Sequence, residues 1–326
     1  MPLTVRPFRP ADAPAVAEVL RAAAPHHLVT PELIAWQAVA APAAERHALL
    51  VADDSTGSRR GGELCGVART GLLYESAEPG LGFANVSVHP GRRGRGVGTA
   101  LLTAAERRLV GLGVVTAYAK VADDPVAVGF AERRGYRRGR RAVQLRLELA
   151  TATLPDLPAV PGVELITAGK LTDPHPVYEA DLAAAADEPG DVPMDHISYP
   201  DWLAAYWDRP DLDRELTSLA MVDGDVVAFS VALTDGRDGY ESGMTGTRPG
   251  HRRAGLAGLV KLASLHRARR AGHRYALTTN DAANDAMLAI NRRLGYRTVG
   301  AEWRYLRSLS GEDFPAGSIV DCGNVH

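Results

Sequence analysis

Three arginines and three glycines crowd into Arg92-Arg93-Gly94-Arg95-Gly96-Val97-Gly98. The run lies between an alternating apolar stretch ending at Val86 and Val88 and an amphipathic stretch from Thr99 to Leu112. Glycine lets a backbone approach a ligand closely and turn its N–H groups toward it. A helix N-terminus adds free N–H donors and a partial positive charge. Together they suit the capture of a pyrophosphate or similar anion. Thr99 follows the last glycine with no lysine between, so the run is not a nucleoside-triphosphate loop. Its Gly-x-Gly-x-Gly spacing, well into the chain, also departs from the Gly-x-Gly-x-x-Gly of a dinucleotide fold.

The same arrangement occurs again. Thr245 and Thr247 end a second strand, followed by Arg252-Arg253-Ala254-Gly255-Leu256-Ala257. Arg93, Gly96 and Gly98 match Arg252, Gly255 and Ala257 at an offset of 159 residues, and Gly135-Tyr136 matches Gly295-Tyr296 at 160. A nearly constant offset over separated landmarks marks an internal repeat.

The elements that must position these turns follow the same order twice. In the first half, periodicity predicts strands at 3–8, 48–52, 63–73, 82–88, 114–121 and 141–149. Helices are predicted at 12–21, from 30, at 99–112 and at 125–134, with Asp12 and Thr30 as N-caps and Gly135 as a left-handed C-cap. In the second half, strands are expected at 163–167, 218–222, 226–234, 240–247 and 275–279. Helices open at 173, 200, 258 and 284. Residues 150–161 carry Pro155, Pro158 and Pro161 and read as a linker. The division is therefore 1–149, linker 150–161, 162–309, and a tail 310–326.

The strand, the Arg-x-x-Gly-x-Gly turn and the later Gly-Tyr resemble the GNAT (general N-acetyltransferase) superfamily, once in each half. Thr279-Asn280, Asn284, Met287, Asn291 and Leu294-Gly295-Tyr296 resemble the version in tandem GNAT proteins related to mycothiol synthase. The resemblance implies an α/β (α+β) fold of two tandem acyl-CoA N-acyltransferase domains. Each would be a mixed, mostly antiparallel splayed sheet flanked by helices. It also implies acetyl-CoA as cofactor. The pyrophosphate would lie on Val86, Val88, Arg93, Gly94, Arg95, Gly96, Val97 and Gly98 in one half. In the other it would lie on Thr245, Thr247, Arg252, Arg253, Ala254, Gly255, Leu256 and Ala257, with Asn280 and Asn284 toward the CoA arm. Asn284 suits helix capping equally well. The family's thiolate-protonating tyrosine is absent: its positions hold Ala131 and Asn291. The family's base, a Glu on the strand before the turn, falls near Ala84 and Gly243, and Glu241 is the nearest carboxylate.

Asp195, His196, Tyr199, Trp202, Tyr206, Trp207 and Asp208 group aromatic faces with carboxylates, which suits an amine acceptor. Tyr199, Trp202 and Tyr206 are the substrate candidates, although Trp202 and Tyr206 also have the four-residue spacing of a helix core face. In the first half Asp123-Asp124-Pro125 stands where an Asn is expected, placing acid near a pyrophosphate arm.

The bulk composition excludes several classes. Thirty-seven basic against thirty-nine acidic residues give a net charge of −2, which offers no field for nucleic acid. Arg137, Arg138, Arg140 and Arg141 read as a solvated strand edge. No apolar run has membrane-span length, and the N-terminus has no apolar signal segment. Cys65 and Cys322 form no framework and no His spacing forms a metal site, so no metal and a reducing cytoplasm are expected. Lysine occurs only at 120, 170 and 261. So arginine-rich a composition points to a high-GC bacterial genome. The function expected is direct acetyl transfer from acetyl-CoA to the amine of a small molecule, with the second half catalytic. A non-catalytic CoA-binding regulatory module and an acyltransferase acting on carrier-protein-bound groups are the alternatives.

Overall fold

The computed structural model describes residues 3–54, 63–186, 191–192 and 196–309. Asp195, Cys322 and the tail 310–326 lie outside the described residues. The first half supplies β1 (Leu3–Pro7), α1 (Ala13–Ala23), α2 (Pro31–Ala40), β2 (Ala48–Asp54) and β3 (Glu63–Leu72). It continues with β4 (Leu81–Val88), α3 (Val97–Gly111), β5 (Thr116–Ala122), α4 (Pro125–Glu132) and β6 (Arg137–Leu147). The second half repeats the order: β7 (Glu164–Thr167), α5 (His175–Ala185), α6 (Tyr199–Trp202), β8 (Ser218–Val222), β9 (Asp225–Thr234) and β10 (Gly239–Thr247). Then come α7 (Leu256–Arg270), β11 (Tyr275–Asp281), α8 (Asp285–Arg293) and β12 (Arg297–Ser308).

All twelve strands join one sheet, in the order β1-β2-β3-β4-β5-β12-β6-β11-β10-β9-β8-β7. Most pairings are antiparallel; β4–β5 and β10–β11 are parallel. The two halves exchange their last strands. β12 inserts between β5 and β6, and β6 pairs with β11 of the other half. Burial follows the exchange: Tyr305 and Leu309 join the apolar core over β4 and β5, while Leu145, Leu147 and Leu149 join the core beneath α7. The segments 1–149 and 162–309 are thus equivalent stretches of chain, but each lobe is completed by a strand from the other.

β6 begins four residues before the predicted 141, because its arginine-rich start pairs with β12. The Asp12 carboxylate does not cap α1. It accepts from Arg6 Nη1 and Nη2 (2.7 and 2.9 Å) and from the Arg9 N–H (2.7 Å) instead. Thr30 does cap α2, accepting from the Leu33 N–H at 3.1 Å, and Gly135 is left-handed at φ +78°.

Candidate active site

Both glycine turns adopt one backbone shape. Gly94 and Gly96 have φ of +75° and +83°; Arg253 and Gly255, at the matching positions, have +65° and +77°. Gly96 and Gly255 are the N-caps of α3 and α7, and neither has a capping side chain. The helix N–H groups are therefore left to an external acceptor. A Cβ built on Gly94, Gly96 or Gly255 meets nothing within 4 Å, so what demands glycine is the positive φ and the space above stays open. Arg253 holds the same φ with a side chain, a strained state of the kind kept at ligand sites. At Gly98 the constraint is steric: a Cβ would lie 3.2 Å from the Phe130 ring. The second half carries Ala257 at the matching position.

The acids near the first turn are neutralised. Asp124 caps α4 through the Val126 and Ala127 N–H groups (3.0 and 2.9 Å) and pairs with Arg93 at 3.9 Å. Asp123 accepts from Arg141 and from the Trp303 indole.

The sheet opens twice, once in each lobe. β4 and β5 pair only from Leu81↔Thr116 to Phe83↔Tyr118, after which the Lys120 N–H reaches across to Asn85 Oδ1 (2.8 Å). β10 and β11 pair from Gly239↔Tyr275 to Glu241↔Leu277, after which Thr278 Oγ1 donates to the Ser242 carbonyl (3.0 Å). Glu241 is therefore the last paired residue before the second opening. It accepts from the Leu28 N–H at 3.4 Å, a group on the α1–α2 loop of the other half. Burial raises its carboxyl above the ordinary range, and His27, the Leu28 N–H and Arg209 only partly oppose this.

Two cavities adjoin on the α1–α2 face. The larger, about 890 Å³, runs from Val86, Val88 and the first glycine turn to Glu241 and Glu302. The smaller, about 480 Å³, lies toward Tyr118, Asn280 and Asp281. They share Gln37, Arg69, Asn85, Lys120 and Arg209. Glu302 contacts Arg304 and lies 3.7 Å from His27. Burial alone would raise its carboxyl, but His27, Lys120 and Arg304 outweigh that and hold it far below the usual range.

Asn284 caps α8, its Oδ1 accepting from the Met287 N–H at 3.1 Å. Asn280 accepts from Asn291 Nδ2 at 2.6 Å. Thr245 meets Ser230 at 3.0 Å, and the Thr247 carbonyl accepts from Arg252 Nε at 3.2 Å. The Thr247 hydroxyl is buried with no hydrogen-bond partner, next to the second turn. Trp202 joins the apolar core around α5, its indole donating to Asp181 at 2.8 Å, and Tyr199 packs against it. Tyr206 donates to Glu75 across the lobes. None of Tyr199, Trp202 and Tyr206 lines either cavity.

Sequence reasoning missed His27, Arg69, Lys120 and Glu302 in the cavities, and Lys261 beneath the sheet. One signal was present. In a chain that uses arginine almost everywhere, one of its three lysines, Lys261, is buried and another, Lys120, lines both cavities. Among the described residues no cluster could hold a metal ion, and no helix is long and apolar enough to cross a membrane.

Two glycine-turn helix N-termini, each beside an opened parallel strand pair, define an acyltransferase architecture present twice in one sheet. Residues 16–136 match the Acetyltransferase (GNAT) family. The mycothiol acetyltransferase of Nocardia farcinica is 30% identical over 316 residues, covering 90% of this chain and 93% of that protein. That of a Nocardioides species is 30% identical over 64% of this chain and 74% of its own. The chain therefore belongs to the GNAT acetyltransferase family, in the tandem group that includes the mycothiol acetyltransferases. Solved structures share the fold. A GCN5-related N-acetyltransferase from Sphaerobacter thermophilus has a TM-score of 0.70 at 20% identity, with 94% and 95% of the two chains covered. A tandem GNAT protein from the clavulanic acid biosynthesis pathway has 0.69 at 22%, with 94% and 98% covered.

Proposed function

We propose that this protein transfers an acetyl group from acetyl-CoA to the amine of a small molecule, directly and within a ternary complex, and that residues 162–309 carry the catalysis. The observation that carries the reading is Glu241, a half-buried carboxylate at the point where β10 and β11 part, facing a cavity roofed by the other half. No carboxylate occurs on β4, from Leu81 to Val88.

The turn residues Arg252 to Ala257 would hold the pyrophosphate, and the orphaned Thr247 hydroxyl fits a polar group brought there by the ligand. Acetyl-CoA supplies an activated thioester whose thiolate leaves without a strong acid, which suits a site with Asn291 at the tyrosine position. Glu241 takes a proton from the acceptor ammonium, directly or through one water. The free amine then attacks the thioester carbonyl, a step made fast chiefly by proximity and orientation. The first turn, opening onto the larger cavity, would bind CoA as scaffold. The mycothiol acetyltransferases among its relatives support acetyl transfer, and the size of the two cavities supports a small-molecule acceptor.

Release of free thiol from acetyl-CoA over an amine panel tests the function. Glu241→Gln is expected to lower kcat by about a hundredfold. It should also remove the rising limb of kcat/KM with pH, whose midpoint lies above the ordinary carboxylate range because burial raises Glu241. Acetyl-CoA binding without turnover on any amine would favour the regulatory reading, which the loss of both tyrosines, at Ala131 and Asn291, supports.

A further inference from the structure

The two cavities meet at a pair of cations that no described side chain hydrogen-bonds or ion-pairs, although the Glu302 carboxylate acts on both from a distance. Every other cation at the junction is engaged. Arg209 is bidentate to Asp211 (2.9 and 2.8 Å), Arg140 is bidentate to Asp281 (2.7 and 2.7 Å), and Arg304 is paired with Glu302. The Arg69 guanidinium and the Lys120 ammonium make no hydrogen bond or ion pair with any described residue, yet both line both cavities.

The two come from neighbouring elements of one face. Arg69 pairs with Asn85 across β3–β4, and Asn85 Oδ1 accepts from the Lys120 N–H across the opening. Arg69 is half-buried and Lys120 lines the cavities with a solvent-exposed side chain; loss of water in the cleft lowers both cations from their ordinary values, and Glu302 partly opposes this. Unpaired cations in such a place are unfavourable unless a ligand anion joins them. Glu45, on the wall of the smaller cavity, does not cancel them. Burial and the Glu75 charge push its carboxyl up to about 7, so it is about half neutral near pH 7.

We infer that Arg69 and Lys120 form the anion subsite of the acceptor: the molecule acetylated is an amine that also carries an anionic group, in the simplest case a carboxylate. The inference rests on the reading above for the amine and its base. Glu241 and Lys120 stand on strands β10 and β5, four steps apart in the sheet. Four steps are about 19 Å between backbones. Both side chains reach into the same cavity, which shortens the gap, and no ion pair joins them. The anion therefore lies several bonds from the amine, and an α-amino acid is too short to engage both ends.

The test titrates the full chain with 6-aminohexanoate, glycine and hexylamine, alone and with saturating acetyl-CoA, for wild type, Arg69→Met and Lys120→Met. The expected result is that 6-aminohexanoate binds wild type more tightly than the other two. Each variant should lose roughly tenfold of that affinity, the value of one charge-assisted contact, with hexylamine unaffected. Acetyl-CoA affinity should not change in either variant. Thermal unfolding confirms folding, and Lys120→Met, which removes a side chain facing cavity solvent, is the variant that decides if Arg69→Met fails to fold. The subsite is overturned if hexylamine or glycine binds wild type as well as 6-aminohexanoate, if 6-aminohexanoate does not bind, if Lys120→Met binds it as wild type does, or if acetyl-CoA displaces it, which would place the carboxylate on a glycine turn. Failure of wild type to bind acetyl-CoA would refute the acetyltransfer reading and leave the anion result standing by itself.

Discussion

An Arg252→Ala/Gly255→Val protein is expected to lose more than about a thousandfold in acetyl transfer, while Arg93→Ala/Gly96→Val keeps most of it. On the proposed reading the turn would act through N–H groups that the helix leaves unpaired and through an arginine beside them. Losing two such charge-assisted contacts is worth roughly 4 kcal/mol, about three decades in rate constant. Valine cannot hold the φ of +77° at Gly255 without strain, so it removes the cradle by shape as well as by bulk. Circular dichroism and thermal unfolding show whether the fold survives. The readouts are thiol release and acetyl-CoA titration, one turn at a time. The opposite pattern, with activity lost only through Gly96, would place transfer in the first lobe. There the larger cavity leads from the turn to His27 and Glu302.

Lys261→Met is expected to stabilise the protein by several kcal/mol at pH 6. Lys261 is 1% exposed, inside α7. Its ammonium has only a 3.5 Å contact with Thr278 Oγ1 and the Tyr296 ring, 5.3 Å away. No carboxylate accompanies it, and burial lowers its pKa to about 7. Below pH 7 the amine is charged in folded and unfolded chains alike, so the full penalty of burying the charge applies. Between about 7 and 10.5 the folded chain gives up the proton first, and stability rises with pH. At 1.36 kcal/mol per pH unit the penalty is about 5 kcal/mol at pH 6 and about 2 kcal/mol at pH 9. Urea unfolding at the two pH values reads the difference. An equal gain at both would show that the amine stays charged in the fold. Leu102 occupies the matching place on α3 and is buried without such a charge, so an apolar side chain is compatible with this layer.

The elements were legible wherever local physics decides them. Gly135 takes the expected left-handed turn and Thr30 the expected cap; Asn284 takes the cap that was one of its two expected roles, whereas the Asp12 cap gives way to Arg6. The aromatic group at 199–207 shows the limit. Tyr199 and Trp202 have the composition of an acceptor surface, but the face they present is set by packing against α5, and it is turned into the core.

What the sequence by itself determined is the repeat, the two glycine turns, and the order of strands and helices within each half up to α8; it did not place β12, the last strand of the second half. These depend on residues close together in the chain, where backbone sterics and hydrophobic period act directly. The tertiary structure alone decided which strand stands beside which. β12 and β6 are both amphipathic and both follow a Gly-Tyr turn, and either pairing buries their apolar faces. The exchange that put Tyr305 in one core and Leu147 in the other is a choice between long-range partners of similar pattern. That choice brings Leu28 of one half onto Glu241 of the other, and Arg69 and Lys120 to the junction of two cavities. A charge facing a cavity leaves no local signature, because a lysine facing a cavity and a lysine facing bulk solvent have the same neighbours in sequence.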